Sequence, residues 1–404
     1  MIVSLAWKNI WRNKKRSFII TIAISFGLWG GLFSGAIMMG MMESMVETAI
    51  NRDLSHIQIH KADYSKEKEI INYIPGGMHV LENIKKVDNV KAASGRTLIN
   101  GMISSSTSSF GTKIIGINPE DAIKVTDINQ SISEGIYFGE KYRNQIIVGK
   151  KLTERLNLKL HSKVVLSFQN LNGEITYIAC RIVGIFKTAS TLFDESNVYV
   201  LQKDLFRILE SESVFHEIAI KVDNVEQIES VDEAIKSKYA GLEVKTWSKL
   251  APEIAFLSET FEIYTYVFVI IILFALLFGI TNTMLMSVVD RTREFGVLLA
   301  IGMKKGRVFV MIVLETILLS LTGGIIGIII SVASIAYFSG TGMDLSAIAT
   351  SLESFGVSAM LYPFLPMAMY VVLTVMIIIA ANIAALLPAW KAMHLVPSEA
   401  IRTY

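Results

Sequence analysis

The absences in this sequence narrow its nature before any motif does. One cysteine among 404 residues forms no intramolecular disulfide, so a disulfide framework is excluded. The alternation of Cys180 with Ile178 and Ile182 reads as the buried face of a strand. Charged residues make up only 18% of the chain and the formal net charge is +2, which removes any general electrostatic argument for nucleic acid or an acidic substrate. No G-x-x-x-x-G-K-[ST] loop occurs, so the chain does not bind ATP in the P-loop manner. His216-Glu217 opens like a zinc helix, but Ile220 occupies the second ligand position and the segment alternates like a strand. His56 and His60, on a strand, would stand about 13 Å apart, too far to share a metal. No nucleophile has a recognisable base. No metal site and no catalytic residue are therefore expected, and the chain reads as a machine part.

Charge is missing altogether from long stretches. Ser17–Met42, Ile263–Val289 and the run from Ser354 to Trp390 carry none, and Val308–Phe338 carries only Glu315. At 1.5 Å per residue the first reaches about 39 Å, enough to cross a bilayer core, and it is about twice the length of a signal-peptide core, so it reads as an uncleaved anchor. The expected fold is an α-helical membrane protein with four transmembrane helices, one plus three, and a large mixed α/β extracytoplasmic domain between the first and second. The expected segments are an interfacial helix over 1–16, spans over 17–42, 262–289, 308–338 and 366–388, a cytoplasmic segment over 290–307, an outer loop over 339–365 and a tail over 389–404. Lys8, Arg12, Lys14, Lys15 and Arg16, then Arg291, Arg293, Lys304, Lys305 and Arg307, place both termini and the 290–307 loop in the cytoplasm by the positive-inside bias. Val3, Ala6, Trp7, Ile10 and Trp11 share one helical face suited to the membrane interface.

Gly27, Gly31 and Gly35 form a doubled GxxxG repeat, expected to pack against a span of a partner copy, and Gly323 and Gly327 repeat the spacing. Between the first two spans, strands are expected at 56–60, 113–117, 163–168, 175–185, 197–201 and 217–222, and helices at 80–87, 151–156 and 225–239. Asn172-Gly173 signals a two-residue hairpin turn with positive φ at both positions. Glu315 lies near the inner interface, within reach of a basic residue of the 290–307 loop.

The most specific segment is Asp290-Arg291-Thr292-Arg293-Glu294-Phe295-Gly296-Val297-Leu298-Leu299-Ala300-Ile301-Gly302-Met303, a short amphipathic helix with Phe295, Leu298, Leu299 and Gly302 on an apolar side suited to a partner's groove. It resembles the coupling segment of the MacB/FtsX-type ABC transporter permease family, whose consensus approximates E-R-T-R-E-I-G-I-L-R-A-L-G-A, with Asp290 and Leu299 as departures. Leu314-Glu315-Thr316 with Gly323, Gly324 and Gly327 is similar to the family's third span. Pro388-Ala389-Trp390-Lys391-Ala392 with Pro397, Glu399, Ala400 and Arg402 is similar to its terminal motif, and Val148–Leu156 to an element of its outer domain. The resemblance implies that Asp290, Arg291, Arg293, Glu294, Phe295, Gly296, Leu298, Leu299 and Gly302 couple to an ABC ATPase dimer carrying the ATP and magnesium, this chain holding no cofactor of its own. It implies a second permease, identical or homologous, and a bacterial inner-membrane location. It also implies an outer domain over 43–261, divided into a porter-like part (43–95 and 200–261) and an inserted β-rich part (96–199).

The run His56-Ile57-Gln58-Ile59-His60 after the first span, together with the absence of a fused ATPase, is similar to the lipoprotein-releasing (Lol-type) branch of the family. In the carrier-recruiting subunit of that branch the hairpin is extended, whereas Asn172-Gly173 closes a short one. A lipid-anchored cargo would need an apolar cleft between the outer halves of the first and second spans, at Phe33, Ile37, Met38, Met41, Tyr264, Val267, Phe268 and Ile271. MacB-like efflux of a peptide or small molecule through an adaptor, and FtsX-like control of a cell-wall hydrolase, stay open beside it.

Overall fold

The computed structural model describes residues 7, 12, 14–62, 64, 66–139, 142–211, 213–354 and 356–394. Val3, Ala6, Ile10 and Trp11 of the expected interfacial helix, and Pro397, Glu399, Ala400 and Arg402 of the terminal motif, lie outside the described residues. Two compact units divide the chain, a membrane unit of Met1–Met42, Glu259–Asp344 and Met360–Tyr404, and a second unit of Glu43–Ser258 with Leu345–Ala359.

Among the described residues, four helices are long and apolar enough to cross a bilayer: Lys14–Ala49, Pro252–Asp290, Lys305–Thr341 and Met367–Met393. A helix satisfies its own backbone hydrogen bonds, as lipid requires, and its polar ends can run on into water. The helices accordingly outrun the uncharged stretches. Helical stalks over 42–50 and 252–261 are expected to continue the first and second spans, and the second helix does start at Pro252; the fourth does not stop at Pro388 but continues to Met393, with the proline buried inside it among Ala384, Ala385 and Ala389. Outward faces are apolar: Phe18, Ile271, Phe278 and Ile329 are 60–69% exposed, a surface that would aggregate in water and is solvated in a bilayer.

Close backbone approach holds the membrane unit together. A Cβ on Gly323 would stand 2.9 Å from the carbonyl oxygen of Thr21, and one on Gly327 2.9 Å from that of Ser25. The Ser25 hydroxyl donates to the Gly323 carbonyl at 2.9 Å, and Trp29 Nε1 donates to Ser334 Oγ at 3.1 Å. The other glycine repeat is also occupied within the chain, which corrects its expected use against a partner copy. A Cβ on Gly27 would overlap Leu276, one on Gly31 would touch Ile377, and one on Gly35 would crowd Thr265 and Leu373.

Among the described residues the second unit contains ten strands: β1 Ile57–Lys61, β2 Val90–Ser104, β3 Ser109–Ile117, β4 Ile132–Gly135, β5 Gln145–Gly149, β6 Lys163–Gln169, β7 Ile175–Phe186, β8 Asn197–Leu201, β9 Glu217–Val222 and β10 Leu242–Thr246. The order β10-β1-β9-β2, antiparallel throughout, with helices Gly77–Ile84 after β1 and Ile228–Lys238 after β9, is the ferredoxin-like β-α-β-β-α-β arrangement. One face of its sheet, with Ile57, Ile59, Ile218, Ile220 and Val244, packs on Val80, Leu81, Ile84, Val231 and Ile235 of those helices.

Between β2 and β9 a second body is inserted. Its pairings run β2-β3-β8-β5-β7-β6 and return to β2, closing a six-stranded barrel filled by Ile103, Ile114, Ile146, Leu166, Cys180, Val198 and their neighbours, with β4 added at β7. Strand β2 belongs to both bodies. Val90–Arg96 pairs with β9, Arg96–Ser104 with β3 and Gly101–Ser104 with β6. The expected division between residues 95 and 96 therefore falls inside one strand.

The β6–β7 hairpin also differs from expectation. Its loop spans 170–174, because Gln169 pairs with Ile175, and Asn170 Oδ1 accepts from the amides of Asn172 and Glu174. Gly173 alone in this loop has positive φ, at 84°. A side-chain cap replaces the two-residue turn.

The glycine seam makes a direct prediction. Gly323→Leu should lower the melting temperature of the purified chain by several degrees, on the order of 1–3 kcal/mol of overpacking. Gly279→Leu, at a span position where a Cβ meets nothing within 4 Å, should leave it unchanged. Equal melting of the two variants would contradict the seam.

Candidate functional site

Between the second and third span helices lies the short helix Thr292–Ala300, ended by a Schellman motif. Gly302, at φ 98°, donates to the Leu299 carbonyl and Met303 to that of Leu298, both at 3.0 Å. Only glycine takes that conformation without strain, so Gly302 stops the helix and does not share the apolar side assigned to it from periodicity.

Arg291 organises the site. Its side chain is 5% exposed, and Nη1 donates to Glu315 Oε2 at 3.0 Å, while Glu315 itself is 1% exposed on the third span. Nε donates to Glu294 Oε2 at 3.0 Å, and the guanidinium lies 5.0 Å from the centre of the Phe295 ring. Arg12 reaches the same Glu294 oxygen from the N-terminal segment. Burial would raise the Glu294 carboxyl, but hydrogen bonds and charge from Arg291 and Arg12 outweigh it and hold the group below the usual carboxylate range. It stays ionised at neutral pH between two cations.

This network gives the helix two unlike sides. Phe295, 1% exposed, enters an apolar cluster with Ile280, Met284, Val308, Met311 and Ile312, and Leu298, Leu299 and Met303 pack partly against it. The apolar side expected to enter a partner's groove is thus committed to the chain's own membrane unit, with Gly296 buried beside it. The open side carries Arg293, Val297, Ala300 and Ile301, the last 80% exposed, with Asp290 exposed at the end of the second span helix. Glu315 meets a basic residue of this loop as expected, whereas Val297, Ile301 and Arg12 are site residues that periodicity did not single out. Their i, i+4 spacing could have flagged Val297 and Ile301 beside Arg293.

The expected cleft residues are not brought together. Phe33 stacks on Trp29 and lies 5.9 Å from the ring of Phe338 on the third span. Tyr264, Val267, Phe268 and Ile271 point away from the buried stripe of the second span helix, which runs through Thr265, Val269 and Leu273, and are 43–60% exposed. Ile37, Met38 and Met41 are half-buried on the first span helix. Phe33 thus packs toward the third span, while Tyr264, Val267, Phe268 and Ile271 lie on the open face of the second span helix.

Comparison with known proteins places this arrangement. A model described as the MacB-like periplasmic core domain matches residues 17–238, more than half of the chain, and the FtsX-like permease C-terminal model matches 266–397. An uncharacterized ABC transporter permease of Methanocaldococcus jannaschii is 30% identical over 38% of this chain and 40% of its own. The uncharacterized ABC transporter permease YvrN of Bacillus subtilis is 24% identical over 64% of this chain and 66% of its own, and the macrolide export ATP-binding/permease protein MacB of Sodalis glossinidius is 35% identical over 23% and 14%. The matches thus span less than two thirds of these relatives' lengths. Among solved structures, the periplasmic region of MacB from Actinobacillus actinomycetemcomitans aligns at a TM-score of 0.36 and 13% identity, covering 52% of this chain and 97% of that one. With the MacB-like model matching more than half of the chain and the FtsX-like model, which includes the helix Thr292–Ala300, following it in sequence, the chain belongs to the MacB/FtsX-type family of ABC transporter permeases.

Proposed function

We propose that this permease receives a separate ABC ATPase on the open side of the helix Thr292–Ala300, and that nucleotide-driven movement there is passed to the segment outside the membrane. The carrying observation is the division of that helix: the Phe295 side is locked into its own membrane unit through Arg291 and Glu315, and the Arg293, Val297 and Ile301 side is open. In this reading the helix and both termini face the cytoplasm of a bacterial inner membrane, ATP and magnesium sit on the ATPase dimer, and a second permease, identical or homologous, completes the complex. The first span helix runs unbroken from Lys14 to Ala49 and the second from Pro252 to Asp290, so each is a covalent route across the unit boundaries.

For cargo we propose a lipid-anchored protein released from the membrane, which would use the outward apolar face at Tyr264, Val267, Phe268 and Ile271. Efflux of a peptide or small molecule is the second reading, favoured by the MacB relatives, which are named for macrolide export. A periplasmic carrier or adaptor would serve the first or the second respectively.

Docking and seating are separable by mutation. Ile301→Glu and Val297→Asp should reduce co-purification of the ATPase at least tenfold, about 1.4 kcal/mol, without changing the melting temperature. Phe295→Ala should instead lower stability by about 3–5 kcal/mol. Undiminished ATPase capture and hydrolysis in Ile301→Glu would remove the docking assignment. For the cargo, photo-crosslinkers at Phe268 and Ile271 should trap a lipoprotein in the resting complex. Crosslinks to phospholipid alone, with a soluble peptide held by the outer unit, would replace lipoprotein release with efflux.

A further inference from the structure

The helix-free face of the ferredoxin-like sheet is polar and yet buried. Along β1, Ile57 and Ile59 turn to the helices, while His56, Gln58 and His60 turn the other way and are only 5–8% exposed. Cross-strand register places Lys245 beside Gln58, Glu243 beside His60, Glu217 beside Arg96, and Lys113 of β3 beside Asn100 of β2. Over this face lies a cavity of about 390 Å³ whose wall includes Asp53, Tyr64, Lys68, Lys113, Glu217 and Lys249.

The wall carries surplus positive charge. Both carboxylates are already engaged by Arg96, whose Nη1 is 2.6 Å from Glu217 Oε1 and 3.5 Å from Asp53 Oδ1, and Lys245, also on the wall, is held by Glu243 at 2.8 Å. Lys68 and Lys113 add to the positive charge around Asp53, and neither they nor Lys249 forms a direct ion pair with a carboxylate among the described residues. Burial pushes His60 below the usual imidazole range and His216 down to about 4, so at neutral pH the positive charge here comes from lysines and Arg96. Tyr64, on the same wall, is 6% exposed and its ring stacks on His60 with centroids 5.1 Å apart.

We infer that this cavity binds a phosphate-bearing small molecule or head group, with Lys68, Lys113 and Lys249 as its counter-charges and the Tyr64 hydroxyl as a donor. Ammonium groups spread around a wall suit a phosphate, which offers three or four acceptor oxygens, whereas a carboxylate is best met by a guanidinium fork, and the guanidinium here is taken by Glu217. The volume exceeds that of a bare ion and falls in the range of small-molecule pockets. The site is independent of what the complex transports.

The full chain in detergent can be titrated with glycerol 3-phosphate by calorimetry, and its retention of phosphatidylglycerol over phosphatidylcholine measured by native mass spectrometry. Lys68 and Lys249 are exposed, so the double variant Lys68→Gln/Lys249→Gln should fold; it is expected to weaken binding at least tenfold, and Tyr64→Phe several-fold. Lys203→Gln, away from this cavity, should change nothing. Binding of the soluble ester that is lost in the double variant supports a free phosphate ester. Variant-sensitive retention of phosphatidylglycerol without binding of the soluble ester supports a lipid head group. Failure of both probes to bind in a way that depends on Lys68 and Lys249 overturns the assignment.

Discussion

Two opposite charges buried where the second span gives way to the third set the constraint on which the membrane unit depends. Taking a guanidinium and a carboxylate out of water costs several kcal/mol each, and Arg291 and Glu315 are almost fully withdrawn from it. Their direct bond, the second bond from Arg291 to Glu294 and the Phe295 ring offset that cost. Such a pair is a weak source of net stability but a strict setter of orientation, since any rotation of the helix Thr292–Ala300 leaves a charge unpaired in an apolar cluster. In the proposed function, a load applied at Ile301 would be delivered to the third span instead of being absorbed by a hinge. The glycine seams at Gly323 and Gly327 carry the same rigidity to the first span, where backbones meet without intervening side chains.

In the second unit, strand β2 plays the joining role. Its first half completes the ferredoxin-like sheet and its second half closes the barrel, so neither body ends where the other begins. The outcome is one sheet face covered by helices and apolar, and another lined with His56, Gln58, His60, Arg96 and Glu217, buried and polar. Burying so many polar groups is costly unless each finds a partner, and most do: His60 meets the His216 carbonyl and Gln58, while His216 meets Ile70 and the Leu98 amide. The lysines of the cavity wall, Lys68, Lys113 and Lys249, stand out against that background.

The sequence made the four spans legible because uncharged runs of that length have few other uses, and it showed the strands Asn197–Leu201 and Glu217–Val222 at their observed bounds because β-branched residues alternate there. It hid β2, whose first half, Val-Lys-Ala-Ala-Ser-Gly, has little strand propensity and is held by partners more than a hundred residues away. Barrel closure was invisible for the same reason. At the candidate site, periodicity located the helix but misread its sides, since an apolar stripe looks the same whether it packs into its own chain or waits for a partner. Glu315 could be placed near a basic loop, yet five cations lay within reach in sequence, and only the three-dimensional arrangement selects Arg291.

The most direct test of this account is a double-mutant cycle on the buried pair. Arg291→Met, Glu315→Met and the double variant would be compared for melting of the purified permease and for the ATP hydrolysis of the assembled complex. Each single variant leaves a buried charge unpaired and should lose about 3–5 kcal/mol, while the double variant should recover most of that stability. Its hydrolysis should no longer respond to permease assembly, because the helix is no longer fixed to the third span. Additive losses within about 0.5 kcal/mol, with a normal hydrolysis response in the double variant, would contradict the claim that this ion pair ties the docking helix to the membrane unit.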